Sequence, residues 1–175
     1  YTIRDLVKNA LRMRPDRIVV GEIRGGEALD LVQAMTSGHG GCMSTVHATH
    51  ASDTLNRLET MGLMSDVDMP LYALRAQVAS AINFVVHAAR LGDGSRCVTE
   101  VTEVLGFDAQ TGYRVAPVFE RRYLGRDTEG RIRSEIVPTG HVPRCAKELR
   151  GMGYELPACV YEAEKTRRQE KKEPR

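Results

Sequence analysis

Two short apolar segments constrain the fold more than any other feature of this sequence. Residues 17–21 and 42–46 have the length of buried strands, and a helical pattern over residues 27–37 separates them. Strands that alternate with helices in this way predict an α/β sheet with parallel strands. Such sheets bind ligands at the carboxyl ends of their strands, where Glu22 and His47 follow the two segments. The sequence therefore predicts a site that contains both residues.

Helical patterns flank this pair of strands. Apolar residues at one-face spacing predict a helix over residues 3–11 with Thr2 as its N-cap. A further helix is expected through Met61, with Ser52 or Asp53 as its cap. Each helix can cover one face of the sheet.

The second half of the chain has a different pattern. Pro70 is expected to begin a helix over residues 71–81, after which strand-like segments are separated by short turns. We predict antiparallel strands at 83–90, 96–107, 113–123 and 131–138, and a small helix at 142–152. The sequence thus predicts an α/β core with an antiparallel β and helical appendage.

Composition excludes several classes of function. The 175 residues include 25 Lys+Arg and 23 Asp+Glu, a formal net charge of +2, so no direct nucleic-acid partner is expected. The four cysteines form no C-x-x-C pair, which favours a reducing cytosol. No apolar run approaches the roughly 18 residues that mark a membrane-spanning helix. We therefore expect a cytoplasmic protein.

One acid and several arginines surround the end of the first strand. Glu22 follows the strand, and Arg12, Arg14 and Arg24 lie on both sides of it in the sequence. A carboxylate there can orient water or Mg²⁺, and guanidinium groups can neutralise charge on a transferred phosphoryl group. Glu22 is then a candidate base and the arginines are candidate clamps. Alternatively, the arginines form ordinary surface ion pairs with acidic neighbours such as Glu27.

The second strand is bordered by groups that bind phosphate. Gly38, His39, Thr45 and His47 supply flexible backbone, imidazole and hydroxyl groups. A histidine at a strand end can donate to a phosphate oxygen and change its partner when the phosphate is cleaved. These four residues are candidate nucleotide contacts, although His39 could equally stabilise its turn.

A zinc site is the rival interpretation of this region. His39, His47 and His50 stand near Cys42 in the sequence and could converge on one ion. Their spacing matches neither an H-E-x-x-H nor a C-x-x-C scheme, and a free cysteine in a strand is usually part of the core.

Two sequence blocks together resemble a known family. Residues 11–28 read LRMRPDRIVVGEIRGGEA, residues 33–48 read QAMTSGHGGCMSTVHA, and a later block, residues 55–61, reads LNRLETM. The first two resemble, in order, the Walker B and histidine boxes of the secretion ATPases, which include the motors of type II and type IV secretion and of type IV pili. The likeness extends over residues 2–107 and is greatest to the CpaF-like branch of Tad pilus assembly.

The resemblance implies a RecA-like P-loop NTPase domain that assembles as a cytoplasmic homo-hexamer and hydrolyses ATP with Mg²⁺. Glu22 matches the Walker B glutamate, which acts as the base and holds Mg²⁺ through water. His47 matches the histidine of the His box. Arg12 and Arg24 match basic positions that reach nucleotide phosphates, with Arg14 as a further candidate. The implied partner is an inner-membrane platform protein of a secretion or pilus complex.

The chain departs from the family pattern because it has no G-x-x-x-x-G-K-[ST] phosphate-binding loop. It begins with Tyr1, so we expect the C-terminal part of a longer ATPase that is inactive alone. Residues 1–107 would be the RecA-like part, 108–160 an extension and 161–175 a charged tail. The alternative function is a non-catalytic, ATPase-like module that regulates a secretion complex.

Overall fold

The structure, a computed structural model, describes residues 1–38, 40–157, 160 and 162 and is a mixed α/β protein. His39 and all but one residue of the predicted tail lie outside the described residues. The elements in chain order are α1 Ile3–Arg12, β1 Val19–Val20, α2 Glu27–Thr36, β2 Met43–Ser44, α3 Ala51–Gly62, α4 Leu71–Ala81, β3 Phe84–Arg90, β4 Arg96–Asp108, β5 Gly112–Arg126, β6 Ile132–Pro138 and α5 Cys145–Gly151.

Helix α1 begins as the sequence predicts. Thr2 accepts a hydrogen bond from the Asp5 backbone nitrogen, and the Asp5 carboxylate accepts one from the Thr2 nitrogen, which together form a capping box. After the helix, Arg14 has φ 52°, a left-handed conformation that is unfavourable for a residue with a Cβ. Pro15 follows, so the helix, which ends at Arg12, cannot continue.

Strands β1 and β2 pair in parallel, which confirms the predicted pairing. Val19 lies opposite Met43 and Val20 opposite Ser44. Both strands are only two residues long, shorter than predicted. Helix α2 connects them, and its apolar positions are buried: Ala28, Leu29, Leu31, Val32 and Ala34. The packing of α2 against the neighbouring helices therefore stabilises a very short sheet.

Helices α3 and α4 complete the helical layer of the first unit. The predicted cap of α3 is wrong: the helix begins at Ala51 with His50 as N-cap and no side-chain capping bond. Ala51 is buried, so the chain enters the helix earlier than the polar cap residues suggest. Helix α4 has the predicted bounds after Pro70.

The predicted antiparallel half is confirmed as a four-stranded sheet of order β3-β4-β5-β6. Asp93 in the β3–β4 turn accepts hydrogen bonds from Ser95 and from the Ile132 backbone nitrogen. The hydrogen bond from Ser95 and then that from Ile132 lower the pKa of Asp93 to about 2. The turn and the first residue of β6 are thereby joined.

A buried acid attaches the segment before α5 to this sheet. The Glu103 carboxylate lies 2.6 Å from His141 Nε2 and accepts a hydrogen bond from the Arg144 backbone nitrogen at 2.8 Å. Helix α5 is shorter than predicted, since it begins at Cys145 rather than at Val142.

The chain divides into two compact units. The first comprises residues 1–83 and 104–115, and the second comprises residues 84–103 with the described part of 116–175. The first unit therefore contains the tip of the β4–β5 hairpin as well as the predicted site.

A partly buried ion pair joins α3, α4 and that hairpin tip within the first unit. Glu59 accepts two hydrogen bonds from Arg75, at 3.0 and 2.9 Å, and one from the Tyr113 hydroxyl at 3.3 Å. The ring of Phe107 packs edge-on to Tyr113 and beneath the Arg75 guanidinium. The acid is satisfied, so its burial is tolerated.

Tyr113 makes the stability of this cluster dependent on pH. Burial, followed by the charge of Glu59, raises the pKa of the Tyr113 phenol above its usual range. The neutral phenol therefore contributes stability below about pH 10 that is lost as the pH rises through the folded-state pKa.

We expect Tyr113→Phe to lose less unfolding free energy between pH 9 and 11 than the unmodified chain, measured by urea denaturation. Exposed Tyr123→Phe should match the unmodified chain, and equal losses in all three would contradict the assignment.

Gly26, at the start of α2, lies where a side chain does not fit. A Cβ there would be 2.8 Å from Ser65 Cα and 3.0 Å from the Met64 carbonyl oxygen, both backbone atoms that cannot rotate away. At Gly25 the nearest atom would be Glu27 Oε2 at 3.2 Å, the end of a flexible side chain.

We expect Gly26→Ala to lower the free energy of unfolding by about 1–3 kcal/mol, since it overpacks a backbone contact. Gly25→Ala is the matched control and should cost less than half as much. Urea denaturation of the two variants measures the difference. Equal effects would show that the close approach at Gly26 is absent in solution.

Candidate functional site at the carboxyl ends of β1 and β2

Glu22 and His47 meet at one edge of the parallel sheet. Glu22 follows β1, His47 follows β2, and Glu22 Oε1 lies 3.1 Å from His47 Nε2. The residues are 25 positions apart in the sequence, and the parallel register brings them together. The predicted convergence is thus observed.

Arg24 completes a group of three side chains. Its Nη2 donates to Glu22 Oε2 at 2.6 Å, so the carboxylate has one partner on each oxygen. The hydrogen bond from Arg24 is the largest cause that lowers the pKa of Glu22, and the charges of Arg24 and His47 act in the same direction. Glu22 is therefore ionised near neutral pH, with a guanidinium and an imidazole beside it.

The two partners of Glu22 face solvent. The side chains of Arg24 and His47 are 79% and 86% exposed, whereas that of Glu22 is 26% exposed. A ligand can thus reach the cationic and hydrogen-bonding groups before it reaches the acid. This arrangement suits an anionic ligand above a carboxylate that can position water.

Glu27 holds the loop between β1 and α2, a role that the sequence analysis missed. Its carboxylate accepts hydrogen bonds from the backbone nitrogens of Arg24 at 2.9 Å and Gly25 at 3.2 Å. The alternative expectation paired Glu27 with arginine side chains, but the Arg24 guanidinium binds Glu22 instead. The sequence did contain a signal for this role, because Glu27 is an acid in the first turn of a helix that follows a loop.

Thr45 links the two strand ends. Its hydroxyl donates to the Gly21 carbonyl, and its own carbonyl accepts from the Ile23 nitrogen at 3.0 Å. These bonds extend the pairing of β1 and β2 up to the residues beside Glu22. The hydroxyl that was expected to contact nucleotide is committed to the backbone.

Three other predicted site residues come before the amino ends of the strands in the sequence. Arg12 and Arg14 precede β1, and Gly38 precedes β2. At this end the Arg17 guanidinium lies across Gly41, 2.5 Å from where a Cβ would stand. Among the described residues, no hydrogen bond or ion pair joins Arg12, Arg14 or Gly38 to the Glu22 group.

Two absences concern the described residues alone, and His39, one of the zinc candidates, lies outside them. In the part of the chain that the structure describes, no three His, Cys, Asp or Glu side chains converge as a metal site requires. Within the same residues, no helix is both long and apolar enough to cross a bilayer.

Fold and site together define an α/β protein with a candidate ligand site at the carboxyl edge of parallel strands, where proteins of this class bind ligands. The sequence also identifies the family of the chain. The chain belongs to the type II/IV secretion system protein family, whose family model matches residues 1–170. This confirms the predicted family, while the CpaF-like branch stays a prediction.

Individual relatives match somewhat more than half of the chain. It is 45% identical over 100 residues to a putative conjugal transfer protein of Mycobacterium tuberculosis, covering 57% of this chain and 28% of that protein. It is 45% identical over 95 residues to the type IV secretion system protein PtlH of Bordetella pertussis, covering 53% and 28%. The VirB11 ATPase of the Brucella suis type IV secretion system superposes with a TM-score of 0.55 at 35% identity, covering 58% and 31%. The matches thus span about three-tenths of each relative.

Replacing Arg24 by Gln should raise the pKa of the Glu22 carboxyl, because the hydrogen bond from Arg24 is the largest cause of its low value. His47→Ala should raise it less, since the His47 charge is the smallest contribution. A pH titration of the side-chain carboxyl ¹³C shift measures both effects. Arg57→Gln, an exposed change on α3, is the control. An unchanged midpoint in Arg24→Gln would show that the contact is absent in solution.

Proposed function

We propose that this chain is the part of an ATP-hydrolysing secretion motor that carries the catalytic base, with a RecA-like fold completed by polypeptide outside these 175 residues. The observation that carries the proposal is the contact of Glu22 with both Arg24 and His47 at the carboxyl ends of β1 and β2. Membership of the type II/IV secretion family and the similarity to a VirB11 ATPase support it.

In this proposal Glu22 positions and activates the attacking water. Its carboxylate is ionised because Arg24 lowers its pKa, so it can accept a hydrogen bond from water. Arg24 is exposed and can turn from Glu22 toward the phosphate, where a guanidinium neutralises developing charge. His47 can exchange its Glu22 contact for a phosphate oxygen, which couples phosphate loss to movement of the strand end.

The residues present fit an Mg²⁺–ATP substrate. The pKa of Glu22 is low, and the arginine and imidazole groups stand at the solvent side of the acid. Mg²⁺ bound with ATP would neutralise the β- and γ-phosphates, and Glu22 would hold the ion through water. Arg24 and His47 would contact the phosphates.

The other residues that the sequence predicts as nucleotide contacts lie outside the group of Glu22, Arg24 and His47. Arg12, Arg14 and Gly38 precede the strands in the chain, and no described hydrogen bond or ion pair joins them to Glu22. We propose that Arg12 or Arg14 instead reaches nucleotide in a neighbouring subunit of a homo-hexamer. Thr45 would act indirectly, since its hydroxyl fixes the strand end.

The phosphate-binding loop must come from elsewhere in this proposal, since these 175 residues contain none. The motor would act in the cytoplasm against an inner-membrane platform protein and would energise type II or IV secretion or pilus assembly. The CpaF-like assignment favours Tad pili.

In the full-length parent protein, Glu22→Gln should lower the kcat of ATP hydrolysis at least about 100-fold, because it removes the base. ATP binding should be retained, because the amide keeps the size of the side chain. Steady-state hydrolysis with Mg²⁺ and a fluorescent-nucleotide binding assay measure the two quantities. Glu120→Gln, an exposed change on β5, is the control, and undiminished hydrolysis in Glu22→Gln would refute Glu22 as the base.

The parent protein and the 175-residue chain should also be compared side by side. Hydrolysis by the parent alone supports the motor. If neither hydrolyses ATP although the parent folds and assembles, the chain is a non-catalytic module that regulates a secretion complex.

A further inference from the structure

The connection between α3 and α4 presents an unusual apolar surface. Residues 63–72, here called the α3–α4 segment, contain five large apolar side chains that are 40–74% exposed: Leu63, Met64, Val67, Leu71 and Tyr72. Single exposed apolar residues are normal, but a group this dense within ten residues is typical of an interaction site.

A cavity of about 280 Å³ lies under the same segment. Leu63, Val67, Met69 and Leu74 supply its apolar lining. Ser65 also lines it, and among the described residues its buried hydroxyl oxygen has no hydrogen-bond partner. The cavity can therefore receive an apolar side chain.

The rim of the cavity is acidic. Asp66 and Asp68 both line it and are exposed. Among the described residues, Arg4 pairs with Asp66 at 3.8 Å, and Arg4 already donates to Asp30 at 2.8 Å. No ion pair of Asp68 occurs in the described part of the chain. Within the described residues, the rim therefore carries more negative charge than Arg4 alone neutralises.

We propose that the α3–α4 segment binds a basic, amphipathic segment of a partner protein, with an apolar side chain in the cavity and lysine or arginine against Asp66 and Asp68. Charge complementarity selects this occupant, because the acidic rim repels nucleic acid and anionic lipid. The flexible thioethers of Met64 and Met69 adapt the surface to different apolar anchors. This interaction goes beyond the proposed hydrolysis and does not depend on it.

The methionines of the chain permit a direct test. The chain labelled with ¹³C-methyl methionine would be titrated with eight-residue peptides that hold two leucine, isoleucine or phenylalanine residues between pairs of arginines. We expect the methyl signals of Met64 and Met69 to shift, while those of exposed Met13 and Met152 stay in place. If no peptide of this set shifts Met64 or Met69 in the folded chain, the proposal is overturned.

Matched peptides and variants separate the contribution of charge to peptide binding from that of the apolar side chains. Peptides with glutamate in place of arginine, or serine in place of the apolar pair, should bind at least about tenfold more weakly. Asp66→Asn with Asp68→Asn should weaken the arginine peptides to a similar degree, whereas Glu120→Gln should not. Equal binding of the glutamate peptides would overturn the charge assignment. Shifts of Met64 that depend on protein concentration without peptide would assign the surface to a second copy of the chain instead.

Discussion

The parallel pairing of β1 and β2 is the constraint on which the candidate site depends. Only two residue pairs form the ladder, and flanking bonds from Met43 to Ile18 and from Ile23 to Thr45 extend it at both ends. A shift of register by one residue would move His47 by about 3.3 Å along the strand and turn its side chain to the other face. The Glu22–His47 contact therefore depends on the register in which β1 and β2 pair.

Such a short ladder cannot hold its register alone, so the helical layer must do so. Leu29 of α2, Leu55 of α3 and Leu74 of α4 are each almost fully buried in one unit. Gly26 brings the start of α2 against the backbone of the α3–α4 connection. Since α2 follows the Glu22 loop directly, its packing limits where that loop can lie. A displacement of the α3–α4 connection would also displace the start of α2.

Features that depend on short-range pattern were predictable from the sequence, and features set by distant contacts were not. The capping box of α1 and the bounds of α4 follow from local residue types. The α3 cap failed because burial of Ala51, a tertiary effect, decides where the helix begins. Likewise, no local pattern pairs Glu59 with Tyr113, 54 residues later. Parallel topology alone places Glu22 and His47 at the same end of the sheet, so this was predictable, whereas their 3.1 Å contact depends on the register.

The contacts of Glu22 also suit a site in which side chains exchange partners when an anion binds. An ion pair whose cation is 79% exposed contributes little to stability, because water and salt screen it. The Arg24–Glu22 contact can therefore be exchanged for a contact with an anion at low cost. The backbone of Arg24 is held separately, by Glu27, so its side chain can move while the loop stays in place. A fixed backbone with exchangeable side-chain partners allows the same three residues to hold different geometries with and without a bound anion.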